Sequence, residues 1–105
     1  MKIKIGNLID AIPALRKLNS LDLPLRMSFK VFKLVEAVNA ELAFFTEKRE
    51  AIQKKADNRD SEIQELVNQE VELDAAKVTI IMTDDLRLSA ADIAVLMPFI
   101  DFKEE

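Results

Sequence analysis

Two hydrophobic periods divide this chain. MKIKI sets Ile3 and Ile5 on one face and Lys2 and Lys4 on the other, a period of two that predicts a strand over residues 1–5. Gly6-Asn7 ends it, and Asn7 is suited to cap a short helix. IDAIPALRKLNSL then turns helical, with Leu15 and Leu18 as its buried face. Pro13 carries no N–H, so a break is expected there: one turn before it, then a new helix with Pro13 in its first turn. SLDLP is the next interruption, and Pro24 suits a first helical position. Over residues 24–56 neither Gly nor a further Pro occurs. Met27, Val31, Leu34, Val38, Leu42, Phe45 and Ile52 recur there at three- and four-residue spacing, interrupted by Arg49. This predicts one long amphipathic helix, close to heptad in its repeat.

DNRDS is polar turn chemistry, and Ser61 with Gln64 fits a capping box opening a short helix with Ile63, Leu66 and Val67 as its stripe. EVELDA alternates again, Val71, Leu73 and Ala75 against Glu70, Glu72 and Asp74. KVTIIMT is β-branched and strand-like. Ser89 caps a last helix with Asp92 at the acceptor position of a capping box. Pro98 ends that helix and leaves a tail anchored by Phe99, Ile100 and Phe102. The expected fold is α+β and a single domain over residues 1–105: a small antiparallel sheet of about three strands (1–5, 70–75 and 77–82) on the long helix, with three shorter helices around. Strands 1–5 and 70–75 are expected to be neighbours, their apolar rows on the long helix and the lysines across from the acids on the wet face.

The long helix poses a problem of its own. At about 100° per residue, Met27, Val31, Leu34, Val38, Leu42 and Phe45 share one arc. Phe29, Phe32, Ala40, Ala43 and Phe44 fall outside it, largely opposite. Beyond residue 46 the second face turns polar, with Glu47, Glu50 and Lys54. Two apolar faces need two covers. Either the sheet and flanking helices of the same chain supply both, or a partner or second copy covers Phe29, Phe32 and Phe44.

Composition narrows the chemistry. The chain has no His, Cys, Trp or Tyr and one Gly in 105 residues. Without His or Cys there is no zinc site of the usual kinds and no histidine-activated nucleophile. One glycine excludes Gly-rich phosphate loops. No activity as an enzyme and no cofactor is therefore expected. No apolar run approaches the roughly 20 residues that span a bilayer, so no membrane is expected either. The N-terminus lacks the pattern of a signal peptide, and the absence of Cys removes any disulfide framework, which points to an intracellular protein. The net charge of −4 conceals an asymmetry. Residues 1–56 carry eleven Lys/Arg and six Asp/Glu, a net of +5, and residues 57–105 carry four and thirteen, a net of −9. Such halves attract each other within one chain or between copies.

KIKIGNLIDAIPAL, LDLPLRMSFKVFKLVEAVNAEL, EVELD and LSAADIAVLMPFI, in that order, resemble a family of short, functionally uncharacterised proteins encoded by bacteriophages and prophages. The likeness runs over nearly the whole chain and rests on segment order and the LP-helix junction. After residue 55 the chain departs from it, with ADNRD in place of a glycine-containing helix stop. The resemblance implies a phage product in the bacterial host cytoplasm or the virion, and it supplies no active site.

The candidate interface is Phe29, Phe32 and Phe44 together with the acidic row Glu70, Glu72 and Asp74. Asp84, Asp85 and Asp92 read as a turn and a helix start before they read as magnesium ligands. Arg49, Lys54, Lys55 and Arg59 have no aromatic platform beside them and belong to an acidic chain, so nucleic acid is not the expected partner. The expected function is that of a non-enzymatic phage protein acting through protein–protein contacts, with itself or with another phage or host protein, as virion component or assembly factor. The alternative is a host-directed inhibitor that binds a bacterial defence or nucleic-acid enzyme through the acidic C-terminal half.

Overall fold

The computed structural model of the chain describes residues 1–54 and 59–104. Its elements follow in the order β1 (Lys2–Lys4), α1 (Ile5–Asn19), α2 (Leu25–Gln53), α3 (Arg59–Asn68), β2 (Glu70–Glu72), β3 (Val78–Met82), α4 (Ala90–Leu96) and β4 (Ile100–Glu104). The class is α+β, as expected, but the strands form two sheets of two strands each and not one sheet of three.

β1 and β2 pair antiparallel with Lys2 opposite Glu72, Ile3 opposite Val71 and Lys4 opposite Glu70. This is the pairing that the two alternating rows predict. Past β2 the ladder is carried on by Leu73, whose N–H donates to the Met1 carbonyl at 2.7 Å. The Ala75 N–H then donates to the Leu73 carbonyl at 2.8 Å, a three-residue turn that takes the chain away from the β1 edge before β3 begins. β3 therefore finds another neighbour. It pairs in parallel with β4, Val78 opposite Ile100 and Ile80 opposite Phe102. Parallel neighbours need a crossover of a dozen residues or more, and the segment containing α4 supplies it. The tail expected to be anchored by Phe99 and Ile100 is anchored by them, both buried, but it is also a strand.

α1 departs from expectation at both its start and its middle. It begins at Ile5, so Asn7 lies inside it and does not cap it. Lys4 stands at the N-cap in extended conformation without a side-chain cap. The Ile5 N–H is instead satisfied by the Gln69 carbonyl at 3.0 Å, a tertiary bond that sequence spacing does not reveal. Gly6 makes room for this approach: a Cβ there would stand 3.0 Å from Val67 Cγ1. α1 also runs through Pro13 unbroken. Leu8, Ala11, Ala14, Leu15 and Leu18 form one buried stripe on either side of the proline, and Pro13 itself is exposed. Each large aliphatic side chain buried there is worth about 1.5–3 kcal/mol. Several together outweigh the roughly 3 kcal/mol that an interior proline costs.

α2 starts one residue later than expected, with Pro24 at the N-cap and its carbonyl accepting from the Ser28 N–H at 3.0 Å. It is closed by Lys54, and the expected end at residue 56 lies outside the described residues. The turn expected at DNRDS lies partly outside them too. Ser61 sits within α3 and does not open it. Val31, Leu34 and Val38 of α2 join the α1 stripe, Ile3, Leu73, Val78, Ile80, Leu96, Phe99 and Ile100 in the main core. Ile5, Phe45 and Leu66 make a second, smaller cluster where α1, α2 and α3 meet. The molecule is long, 53 × 23 × 21 Å, because α2 alone extends about 43 Å at 1.5 Å per residue.

Candidate functional site

The two faces of α2 meet different surroundings. Val31, Leu34, Val38 and Phe45 are buried against α1, α3 and β3. On the other side Phe29, Phe32 and Phe44 are 58%, 52% and 49% exposed. Ala40 and Ala43 are exposed between them. Cover of both faces from within the chain, one of the two expected arrangements, is thus not what the fold provides. Helices and sheets gather on one side of α2 and leave three phenylalanines in water.

The exposed rings are not bare. Lys33 Nζ lies 5.7 Å from the centroid of Phe29, and Lys48 Nζ lies 5.4 Å from that of Phe44. Both pairs have i,i+4 spacing, which stacks neighbours on one helix face. An exposed cation–π contact contributes only about 0.5–1 kcal/mol. That is well below the roughly 1.5–3 kcal/mol available from full burial of an aromatic side chain. The lysines shield the rings without removing the gain from covering them.

Beside this face runs a groove of about 540 Å³ between α2 and the segment that follows β2. Phe29, Lys33, Ala37, Ala40 and Glu41 line its α2 wall, and Asp74 stands on the opposite wall. The groove brings together two of the residues picked from the sequence, Phe29 and Asp74. Ala37 and Ala40 are the small side chains on its α2 wall.

Glu70 and Glu72 are elsewhere. They sit on exposed β2 opposite Lys4 and Lys2, and Glu72 Oε1 also lies 3.4 Å from the Met1 amino nitrogen. Each stands across the ladder from a lysine, and Asp74 leaves the row at the bend. The six candidates therefore do not form one site.

The other acids have structural partners. Thr83 Oγ1 donates to Asp85 Oδ1, and this bond holds the Asp85 carboxyl below its usual range. Asp92 receives Lys17 Nζ at 2.9 Å and the Ser89 N–H at 3.2 Å, which lower its pKa in the same way. Ser89 and Asp92 make the capping box that the sequence predicts. Among the basic candidates, Arg49 lies over the Phe45 ring at 5.7 Å, Lys54 closes α2 and Arg59 opens α3, while Lys55 is outside the described residues. Among the described residues no group of three or more acids is placed to hold a metal ion, and no helix is long and apolar enough to cross a membrane.

Sequence reasoning missed Leu25, which is 85% exposed and extends the apolar face by one turn. The signal was present as the four-then-three spacing of Leu25, Phe29 and Phe32. No family model matches the chain, and neither a curated protein nor a solved structure matches it.

Proposed function

We propose that this chain acts through protein–protein contact made by the outer face of α2, as a non-enzymatic phage component or assembly factor. The observation that carries the reading is the exposure of Phe29, Phe32 and Phe44 on one side of a single helix, with Leu25 beyond them. Aromatic anchors on a rigid helix, rimmed by charged side chains, are the composition of a contact surface. The phage setting comes from the resemblance in segment order alone. A host-directed inhibitor working through its acidic half has less behind it, because Glu70 and Glu72 stand opposite lysines of the same chain.

A photo-reactive phenylalanine analogue at position 32, with the same analogue at Lys2 as control, tests this in the native bacterial setting. The expected result is a discrete protein adduct from position 32 and none from position 2. Equal, diffuse labelling from the two positions would remove the α2 face as a contact site.

A further inference from the structure

We infer that the outer face of α2 is self-complementary, and that its occupant is a second copy of this chain lying antiparallel along it. The inference rests on the reading of that face as a contact surface and specifies the partner.

Charge is the first ground. From Leu25 to Val35 the helix carries Arg26, Lys30 and Lys33 and no acid. From Glu36 to Glu47 it carries Glu36, Glu41 and Glu47 and no base. All six side chains except the half-buried Glu41 are exposed. Antiparallel pairing lays the basic half of one helix on the acidic half of the other, twice. Parallel pairing sets lysine against lysine and glutamate against glutamate along the whole contact, which is destabilising.

Size is the second ground. Along the stripe the large side chains Leu25, Phe29 and Phe32 occupy the first half and Ala40 and Ala43 the second, with Phe44 at the edge of that second half. The groove beside Ala37 and Ala40 is a space of about 540 Å³. Antiparallel pairing places Phe29 and Phe32 of one copy over the alanines and groove of the other. Parallel pairing stacks phenylalanine on phenylalanine and leaves the alanines facing a void. The spacing of Leu25, Phe29, Phe32, Glu36, Ala40, Ala43 and Glu47, four-three-four and then again, keeps the stripe nearly parallel to the helix axis. The two-fold axis falls near Glu36, so the two Glu36 carboxylates face each other and Lys33 of each copy lies within a turn of them. Each copy presents the same patch, the condition for a closed dimer.

The chain has no cysteine, so single cysteines can be introduced to read the geometry. Light scattering across micromolar concentrations is expected to show twice the 11.9 kDa chain mass. Under mild oxidation Glu36→Cys is expected to link into a covalent dimer. Glu47→Cys is expected not to, because it lies roughly 33 Å from its own copy at 1.5 Å rise per residue. The dimer dissociation constant should rise several-fold from low to high salt, since surface charge pairs are screened. A monomer at every concentration would overturn the inference. So would Glu47→Cys linking as readily as Glu36→Cys, which marks a parallel pair. A monomer that still yields a foreign adduct from position 32 would leave the contact-surface reading standing and remove only self-pairing.

Discussion

Lys17 Nζ stands 2.9 Å from Asp92 Oδ2, so one carboxylate joins the last turn of α1 to the first turn of α4. The pair is also one of the places where the basic first half of the chain meets the acidic second half within one molecule, the β1–β2 ladder being another. Asp92 is well placed to remain ionised. Its side chain is 13% exposed, it accepts from Lys17 and from the Ser89 N–H, and it lies at a helix N-terminus, where the dipole favours an anion.

These contacts give stability a pH dependence of known sign. The Asp92 carboxyl is held below its usual value in the folded chain, chiefly by the Lys17 hydrogen bond. In the unfolded chain it titrates near the ordinary aspartate value of about 3.9. Its contribution is therefore complete above about pH 4 and is lost as pH falls through the lower folded value. Urea unfolding at neutral pH and at about pH 3 should show a steeper acid loss for the parent than for Asp92→Asn. Parallel losses in the two proteins would mean that the Lys17–Asp92 contact adds nothing to folding.

The β1–β2 ladder separates what apolar rows do from what charges do. Ile3 is 5% exposed and faces Val71, while Lys2 and Lys4 face Glu72 and Glu70 in water. Ile3→Asp buries a carboxylate with no partner and should destabilise by more than about 3 kcal/mol. Lys2→Glu with Lys4→Glu loses two cross-strand pairs worth roughly 0.2–1 kcal/mol each and adds like-charge repulsion of similar size. Thermal melts of both variants decide the matter. An Ile3→Asp variant that melts like the parent would deny the N-terminus a place in the core.

Those same rows explain how much of the fold was legible in advance. The register of β1 on β2 follows from two short alternations, because a slip by one residue would turn Ile3 and Val71 to water. The buried stripe of α2 and the Ser89–Asp92 cap were legible for similar local reasons. The β3–β4 pair was not. Parallel strands share no turn, so nothing near Ile80 points to Phe102. The start of α1 was hidden because its first N–H is satisfied by Gln69, more than sixty residues away. On the outer face of α2, the pattern placed Phe29, Phe32 and Phe44 opposite the core stripe. What stands over them depends on where the rest of the chain packs, and no periodicity within one helix encodes that.

Pro13 offers the last test, since α1 passes through it against local preference. A proline at the ninth position of a helix offers no N–H to the Ile9 carbonyl. Pro13 is exposed, so water can reach its surroundings, and the buried stripe of Leu8, Ala11, Leu15 and Leu18 holds the helix on course. Pro13→Ala restores the missing donor. An interior proline costs about 3 kcal/mol relative to alanine, and the extra freedom of the unfolded alanine chain returns roughly 0.4–1 kcal/mol of this. Pro13 is exposed and outside the buried stripe, so a net gain of about 2–2.5 kcal/mol is expected. For a chain of this size that raises the melting temperature by roughly 8–20 °C. Asp10→Ala, on the exposed side of the same helix, is the control and should change stability by no more than about 0.5 kcal/mol. A Pro13→Ala variant that melts at or below the parent would mean that the fixed backbone of Pro13 helps to seat α1 on its neighbours, and that the helix does not tolerate the proline but uses it.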